Sequence, residues 1–262
     1  MTSRRKTILV TGGAKRVGRH IVERLAAAGH DVVIHANSGA SEGEALAASL
    51  REGGAKAWAV AADLADAGAT EALIPGAAKL AGAPLSGLVN SASIFDFDTP
   101  GAIDAAAFDR AMAINLRAPA LLSQYFAAQA DVGADNCIVN VLDQKLWNMN
   151  PDFFSYTLSK AGLLSATDMM ARAFAPKVRV NAVAPGLLLP SHDQTEEEFA
   201  ATASRNPMGR PIALDDVVSA IDFLMGNASL TGQVIHADNG QRMVASARDV
   251  IFEARTDSKD NT

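Results

Sequence analysis

The sequence is nearly devoid of cysteine, since Cys137 is the only one among 262 residues. An intrachain disulfide is therefore impossible, and one thiol cannot assemble a zinc site by itself. We expect a protein of the reducing cytoplasm that holds no metal ion.

Positive charge and long apolar runs are also scarce. Lys and Arg total 23 against 29 Asp and Glu, a formal net charge of −6, and such a chain repels nucleic-acid phosphates. The longest uncharged stretch, residues 80–95, contains glycine, proline and asparagine and falls short of the roughly 18 apolar residues of a spanning helix. The N-terminal apolar stretch stops at Val10, too early for a signal peptide. We expect a soluble protein with neither nucleic acid nor membrane as partner.

Short β-branched segments alternate with longer alanine-rich segments along the chain. The short segments are apolar on both faces, which is typical of parallel strands covered by helices on each side. The predicted strands are residues 7–11, 31–36, 56–61, 86–90, 137–141, 178–182 and 233–236. Helices are predicted to begin near Arg16, Ser41, Asp66, Asp104, Pro151 and Leu214.

No linker or internal repeat divides the chain. The pattern predicts an α/β fold, with a single doubly wound domain built on a seven-stranded parallel sheet over residues 1–245. The sequence turns polar after Val244, and we expect residues 246–262 to form a frayed C-terminal tail.

A glycine-rich loop follows the first predicted strand. Gly12, Gly13 and Gly18 lie between this strand and the next predicted helix, where small residues let backbone amides approach a pyrophosphate. Because the strand–loop–helix context is present, the segment predicts a dinucleotide-binding Rossmann domain.

The second predicted strand bears on the choice of cofactor. A domain that binds NAD usually has an acidic residue about 20 positions past the loop, on the ribose 2′-hydroxyl. Here the corresponding residues are Asn37 and Ser38, while Lys15 and Arg16 lie inside the loop. The missing carboxylate and the two cations favour NADPH over NADH.

Tyr156 and Lys160 lie four residues apart in the segment SYTLSK. On a helix they share a face, so the ammonium group can depress the phenol pKa and make Tyr156 a usable proton donor or acceptor. Such spacing also occurs by chance, and the pair alone does not identify a reaction.

Further motifs accompany this pair in a fixed order. They are TG-x-x-x-x-x-G at residues 11–18, Asp63 in ADL, NSAS at 90–93, Asn115, YTLSK at 156–160, VRVNAVAPG at 178–186 and TGQVIHADNG at 231–240. Together they resemble a classical short-chain dehydrogenase/reductase over residues 6–244.

The resemblance implies a role for each matching residue. Tyr156 would be the acid/base, Lys160 would bind the nicotinamide ribose and lower the Tyr156 pKa, and Asn115 would hold a proton-relay water. Residues 187–210 would form a substrate lid in which His192 and Met208 are either pocket or packing residues. The implied cofactor-binding residues are Gly12, Lys15, Arg16, Val17, Gly18, Asn37, Ser38, Asp63, Leu64, Asn90, Ser91, Ala92, Pro185 and Gly186.

One position departs from the family pattern. Ordinary members have a serine about a dozen residues before the tyrosine, and this chain has Asp143. An ionised carboxylate accepts hydrogen bonds and cannot donate one, so it suits a substrate with N–H donors, such as a pterin. Alternatively, Asp143 caps a loop, or it is protonated and serves an ordinary ketone.

Three further residues resemble the pattern of pteridine and dihydromonapterin reductases. Arg16 stands where most relatives have glycine, and Ser93 and Phe95 follow in NSASIF. The resemblance implies that Arg16 lies near pyrophosphate and pterin, that Ser93 contacts the ligand and that Phe95 stacks on the ring. Phe95 as core filler is the alternative. Asp143, Tyr156, Leu187 and Trp147 complete the predicted substrate site, although Trp147 has a structural role as its alternative.

These observations predict an NADPH-dependent reductase that acts on a C=N bond of a dihydropterin or dihydrofolate-like substrate. The alternatives are a carbonyl reductase of ketone or 3-oxoacyl substrates and a non-catalytic NADP-binding regulator. The resemblance further implies a homo-oligomer, dimer or tetramer, paired through helices over residues 104–130 and 151–175.

Overall fold

A computed structural model describes residues 5–37, 39–190 and 194–252. Its seven strands form one parallel sheet in the order β3-β2-β1-β4-β5-β6-β7. The strands are β1 Thr7–Val10, β2 Asp31–Ala36, β3 Ala57–Ala61, β4 Gly87–Asn90, β5 Asn136–Val141, β6 Val178–Pro185 and β7 Val234–Ala237. The helices of the described residues are α1 Arg16–Ala27, α2 Ala40–Glu52, α3 Ala67–Ala81, α4 Ala105–Met112, α5 Ala118–Gln129, α6 Phe154–Phe174, α7 Glu196–Ala203 and α8 Leu214–Gly226.

The sheet is covered on both faces, as the apolar strand sequences predict. On one face, Ile21 of α1 and Ile221 of α8 pack into the same core cluster. On the other face, Leu73 of α3 and Phe126 of α5 belong to a second cluster. This arrangement confirms the predicted doubly wound α/β domain with seven parallel strands.

The sheet order reverses on either side of β1, which pairs with β2 on one side and with β4 on the other. In doubly wound sheets, ligands bind in the crevice outside the carboxyl ends of the strands at such a switch point. The fold therefore directs the search for a site to the loops that follow β1, β4, β5 and β6.

Several element boundaries differ from the predicted ones for local reasons. Asp66 and Asp104 are N-caps that accept backbone N–H bonds at 2.6 and 2.8 Å, so α3 and α4 begin one residue later. The helix predicted to begin near Pro151 starts at Phe154, directly after Phe153 in the left-handed region at φ 53°.

The single helix predicted over residues 104–130 is two helices. A π-helix, Ala113–Arg117, separates α4 from α5. π-turns are rare and are frequently found at functional sites, and this one contains Asn115. No helix of the described residues is long and apolar enough to cross a bilayer.

The expectation that the chain frays after Val244 is wrong for residues 248–252. Ile251 is 5% exposed and Asp249 is 8% exposed. The apolar residues Val250, Ile251 and Phe252 pack in one cluster with Phe153 and Tyr156, which fastens the segment to the domain. The predicted boundary at residue 245 stays a prediction, and residues 253–262 lie outside the described part of the chain.

The two-faced core makes a prediction about stability. Phe126 is fully buried on the helical layer of α5, so Phe126→Ala should lower the free energy of unfolding by about 3–5 kcal/mol. Phe223→Ala on α8 is the control, because Phe223 is 54% exposed and its removal should change stability by only about 0.5 kcal/mol. Equilibrium denaturation measures both, and equal losses would contradict the described layer packing.

Candidate active site

A cavity of about 520 Å³ lies at the carboxyl ends of the central strands. It brings together most of the residues predicted from sequence, although they come from five separate segments. The predicted residues that line it are Gly12, Lys15, Arg16, Val17, Gly18, Ser91, Ala92, Ser93, Phe95, Asp143, Tyr156, Lys160, Pro185, Gly186 and Leu187.

The glycine loop is shaped for close approach of a ligand. Gly12 has a positive φ of 64°, and a Cβ on Gly18 would lie only 2.1 Å from the Gly12 carbonyl oxygen. Only glycine fits at Gly18, so the backbone stays open beside the start of α1. The Thr11 hydroxyl accepts the N–H groups of Ser91 and Ala92 at 3.0 Å, which joins this loop to the one after β4.

Buried His35 on β2 forms a hydrogen bond to the glycine loop. Its Nδ1 accepts the Gly12 N–H at 3.2 Å, and its Nε2 lies 3.0 Å from the Ala62 carbonyl oxygen. Nε2 must therefore carry the hydrogen and donate it, because Nδ1 is the acceptor. Burial lowers the His35 pKa. The sequence favours strand packing for His35 and does not reveal this bond, because no local pattern connects position 35 to position 12.

Arg16 occupies the left-handed region at φ 51°, a conformation that side chains other than glycine rarely adopt. Glycine would adopt this backbone conformation without strain. The Arg16 guanidinium donates to the Pro190 carbonyl at 2.8 Å. It thereby links the glycine loop to the chain that follows β6.

Lys15 has an acidic partner that the sequence did not reveal. Its ammonium group lies 2.7 Å from the Glu42 carboxylate of α2, and the bond to Lys15 lowers the Glu42 pKa to about 2. One of the two loop cations is therefore already paired with an acid. Nearby, the Asn37 amide lies 3.5 Å from Asp63, where β2 and β3 end. Ser38 lies outside the described residues.

The centre of the cavity contains a hydrogen-bonded acid pair. Asp143 follows β5, and its Oδ2 accepts the Tyr156 hydroxyl at 2.7 Å. Its Oδ1 accepts the backbone N–H of Lys145 at 2.8 Å. The Lys160 ammonium donates to the Val141 carbonyl at 2.7 Å and does not bond to the phenol.

The electrostatics of this pair correct one expectation. Burial, reinforced by the charge of Asp143, raises the Tyr156 pKa well above 10, so the predicted depression by Lys160 is not seen. The partner of the phenol is a carboxyl group rather than the ammonium. Burial also raises the Asp143 pKa and lowers the Lys160 pKa to about 8. All three shifts favour the uncharged forms of the groups.

Asn115 lies beneath the cavity and not on its surface. Its Oδ1 accepts from the Ile94 N–H at 2.9 Å and from the Ser93 hydroxyl at 3.2 Å. Its Nδ2 donates to the Ile94 carbonyl and to the Ser159 hydroxyl, both at 3.0 Å. The side chain has thus used its hydrogen-bonding capacity, and the predicted relay water could be held only by its backbone.

Phe95 reaches the cavity with one ring face already covered. Its ring stacks on Phe153 with centroids 3.9 Å apart and meets the Tyr156 ring edge-on at 4.7 Å. A heterocycle could therefore stack only on the opposite face. Leu187 is fixed by its N–H, which donates to Gln241 Oε1 at 2.8 Å.

The structure does not bring Trp147 to the cavity wall, which corrects that prediction. Trp147 lies at the end of the 3₁₀ turn Gln144–Trp147 and its ring packs edge-on against His236 of β7 at 4.2 Å. It is not among the residues that line the cavity. Asn90 is buried and bonds to Asn140 at 2.8 Å, and Leu64 is in the core. Met208 is exposed and does not line the cavity, and His192 lies outside the described residues.

Sequence analysis missed part of the cavity. The residues that it did not anticipate include Gln144, Lys145, Gln241, Asp249, Val250 and Ile251. The last three come from the segment expected to fray, and the only available signal was the apolar run VIF within a polar stretch.

The Lys15–Glu42 pair predicts how the cofactor preference can be changed. If Lys15 faces the cofactor's 2′-phosphate, Glu42→Gln should strengthen NADPH binding relative to NADH by roughly two- to fivefold, and less at high salt. Fluorescence titration of both cofactors measures the ratio. Glu44→Gln is the matched control, since Glu44 pairs with Arg51 at 2.6 Å on the same helix. An unchanged ratio in Glu42→Gln would contradict this prediction.

Buried His35 predicts a pH dependence of stability. Because burial lowers its pKa below 6.5, the unfolded chain takes up the proton first as the pH falls. The stability from neutral His35 is complete above pH 6.5 and is lost as the pH falls through the folded-state pKa. His35→Asn, which retains an acceptor for Gly12, should reduce this slope in denaturant titrations. Exposed His20 gives the control His20→Asn, and parallel slopes in all three proteins would refute the assignment.

The cavity fits a dinucleotide. A pyrophosphate binds where backbone N–H groups are accessible at the start of a helix. The glycine loop leaves no room for a Cβ at Gly18 beside the start of α1, and the loop cation Arg16 lines the cavity. The predicted cofactor residues on the cavity surface are Gly12, Lys15, Arg16, Val17, Gly18, Ser91, Ala92, Pro185 and Gly186. Asn37 and Asp63 adjoin each other where β2 and β3 end.

Comparisons with known proteins agree with this geometry. A family model described as enoyl-(acyl carrier protein) reductase matches residues 12–242. The L-xylulose reductase of Bos taurus is 33% identical over 240 residues, covering 88% of this chain and 94% of that protein.

Two solved structures are more similar in sequence. FolM alternative dihydrofolate reductase 1 from Brucella canis, complexed with NADP, is 40% identical with a TM-score of 0.89, covering 95% of this chain and 98% of that chain. The Brucella suis protein, also in complex with NADP, has the same identity and TM-score and is covered to 99%. From the fold, the cavity and these matches, the chain is an NADP-dependent oxidoreductase that belongs to the short-chain dehydrogenase/reductase family.

Proposed function

We propose that this oxidoreductase reduces a C=N bond of a dihydropterin or dihydrofolate-like substrate with NADPH. The observation that carries the proposal is the 2.7 Å hydrogen bond from the Tyr156 hydroxyl to Asp143. An acid stands where ordinary family members have a serine, so the tyrosine shares its proton with a carboxyl group.

A carboxyl group changes which substrates the site can hold. Its oxygens accept N–H bonds, and the amino group and ring N–H groups of a pterin are donors of this kind. A ketone oxygen is a poor match because it needs a donor. The names of the two Brucella structures, each a dihydrofolate reductase, support a substrate that contains a pterin ring.

The proton chemistry follows from the pKa shifts. When bound, the cofactor supplies a hydride, which the substrate accepts at the ring carbon of the C=N bond. The ring nitrogen then needs a proton, which we assign to the Tyr156–Asp143 pair, because burial holds the pKa of both groups high and keeps a proton there. Lys160 is fixed by Val141 at 2.7 Å and would hold the nicotinamide ribose.

The remaining predicted substrate residues would position the ring. Phe95 offers one uncovered face, and offset aromatic stacking contributes roughly 0.5–1.5 kcal/mol beyond area burial. Ser93 and Leu187 line the same cavity. Arg16 has guanidinium N–H groups beyond the one bonded to Pro190, and these would reach the pyrophosphate and the ring.

A second candidate function is carbonyl reduction. The raised Asp143 pKa favours it, because a protonated carboxyl group can donate to a ketone oxygen as a serine does. The match to an L-xylulose reductase also supports this alternative.

We further propose that the protein acts as a cytoplasmic homo-oligomer, dimer or tetramer. Helix α6 leaves Met169 68% exposed and Leu158 39% exposed, an apolar face that a second copy could cover.

Cys137 is fully buried, and burial raises its pKa to about 11, which makes it an unreactive thiol.

The test follows NADPH oxidation with dihydrobiopterin, dihydromonapterin, dihydrofolate and a panel of ketones. In Asp143→Ser we expect pterin turnover to fall by about 10²-fold or more, because the acid pair is lost, while NADPH affinity is retained. Asp168→Asn on the exposed side of α6, where Asp168 pairs with Arg172, is the control. Ketone turnover that is unchanged or improved in Asp143→Ser, without any pterin activity, would establish the carbonyl alternative instead.

A further inference from the structure

Residues 248–252, called here the C-terminal strap, fold back over the cavity. Val250 and Ile251 line it beside the predicted substrate residues. Ile251 is 5% exposed and packs in one apolar cluster with Phe153 and Tyr156. The strap therefore shares an apolar cluster with Tyr156, although the two lie almost a hundred residues apart in the chain.

Polar bonds fasten the strap at several points. The Asp249 carboxylate lies 2.6 Å from the Lys145 ammonium, and its backbone N–H donates to Asp152 at 2.8 Å. The Arg248 side chain donates to the same Asp152 carboxylate at 2.7 Å, and the Asn150 amide donates to the Arg248 carbonyl at 3.0 Å. A segment held by this many bonds has a defined position.

Lys145 connects the strap to the acid pair. Its backbone N–H donates to Asp143 Oδ1 at 2.8 Å, and its ammonium donates to Asp249 and to Asn150, each at 2.6 Å. Lys145 is 3% exposed and Asp249 is 8% exposed, so neither charge is solvated by bulk water. Loss of either partner would leave a buried charge unpaired and would drive the turn at Lys145 to rearrange.

We propose that the C-terminal strap is part of the active site: Asp249 is a positioning residue that fixes the Asp143 carboxyl through Lys145, and Val250 and Ile251 form a wall of the substrate pocket. The assignment of Asp249 rests on the role proposed above for Asp143. The strap completes the pocket from the same chain.

The electrostatics agree with this geometry. The charge of Asp249 contributes to the raised pKa of Asp143 and to that of Tyr156. Asp249 therefore acts on the acid pair by position and by charge, whereas Val250 and Ile251 act only by shape. The two contributions can be separated by substituting one residue at a time.

The experiment compares Asp249→Asn with the wild type in three measurements. They are kcat/KM for whichever substrate is turned over, NADPH affinity by fluorescence titration, and amide hydrogen exchange of the peptide that contains Lys145. We expect kcat/KM to fall by about tenfold or more, as for coupled residues in one network, with unchanged NADPH affinity and faster exchange at Lys145. Asp249→Glu should recover part of the loss, and Asp168→Asn should match the wild type.

A double variant distinguishes positioning from general stability. If Asp249 acts through Asp143, then Asp143→Ser/Asp249→Asn should be no slower than Asp143→Ser alone. A further multiplicative loss, or a parallel loss of NADPH affinity, would overturn the proposal in favour of a stabilising role alone. Unchanged kcat/KM and unchanged exchange in Asp249→Asn would also overturn it.

The exchange measurement keeps this inference separate from the proposed function. If no pterin or ketone is reduced, faster exchange at Lys145 in Asp249→Asn still supports the link between the strap and Asp143. In that outcome the proposed reaction fails, while the structural link from the strap through Lys145 to the Asp143 carboxyl group stands. If amide exchange at Lys145 in Asp249→Asn is as slow as in the wild type, the inference is rejected even if pterins are reduced.

Discussion

The candidate active site is organised around one hydrogen bond, from the Tyr156 hydroxyl to Asp143 at 2.7 Å. The chain turns directly after β5, and Oδ1 of the same carboxyl group accepts the backbone N–H of Lys145. Tyr156 lies in the first turn of α6, which begins at Phe154 directly after a residue in the left-handed region. Both ends of the bond are therefore fixed by backbone geometry, and the raised pKa of each group follows from their shared burial.

The parallel sheet explains why residues far apart in the chain meet in this cavity. All seven strands point the same way, so every loop at their carboxyl ends lies on one edge. Thr11 joins the loop after β1 to the loop after β4, and Gln241 supports Leu187 after β6. The cofactor loop and the acid pair thus share a rigid base, which favours the accurate placement that proton and hydride transfer require.

Local patterns sufficed to predict most of the architecture. The strands and the glycine loop follow from apolar runs and turn residues, and the main error in the helices was the π-helix around Asn115, which has no composition signal. The contacts Lys15–Glu42 and Lys145–Asp249 could not be predicted, because pairing between distant charged side chains leaves no periodicity in the sequence. The contact of Trp147 with His236 across the fold could not be predicted either, because it joins residues far apart in the chain.

At Arg16, the residue that makes the contact between two loops is not the residue that best suits the backbone conformation. An arginine held at φ 51° stores conformational energy that glycine at the same position would release. Glycine, however, would remove the guanidinium that spans from the first loop to Pro190. The version of this loop with the most relaxed backbone is thus not the version that keeps the bond to the chain after β6. Selection or engineering for thermal resistance alone would tend to erase this arginine.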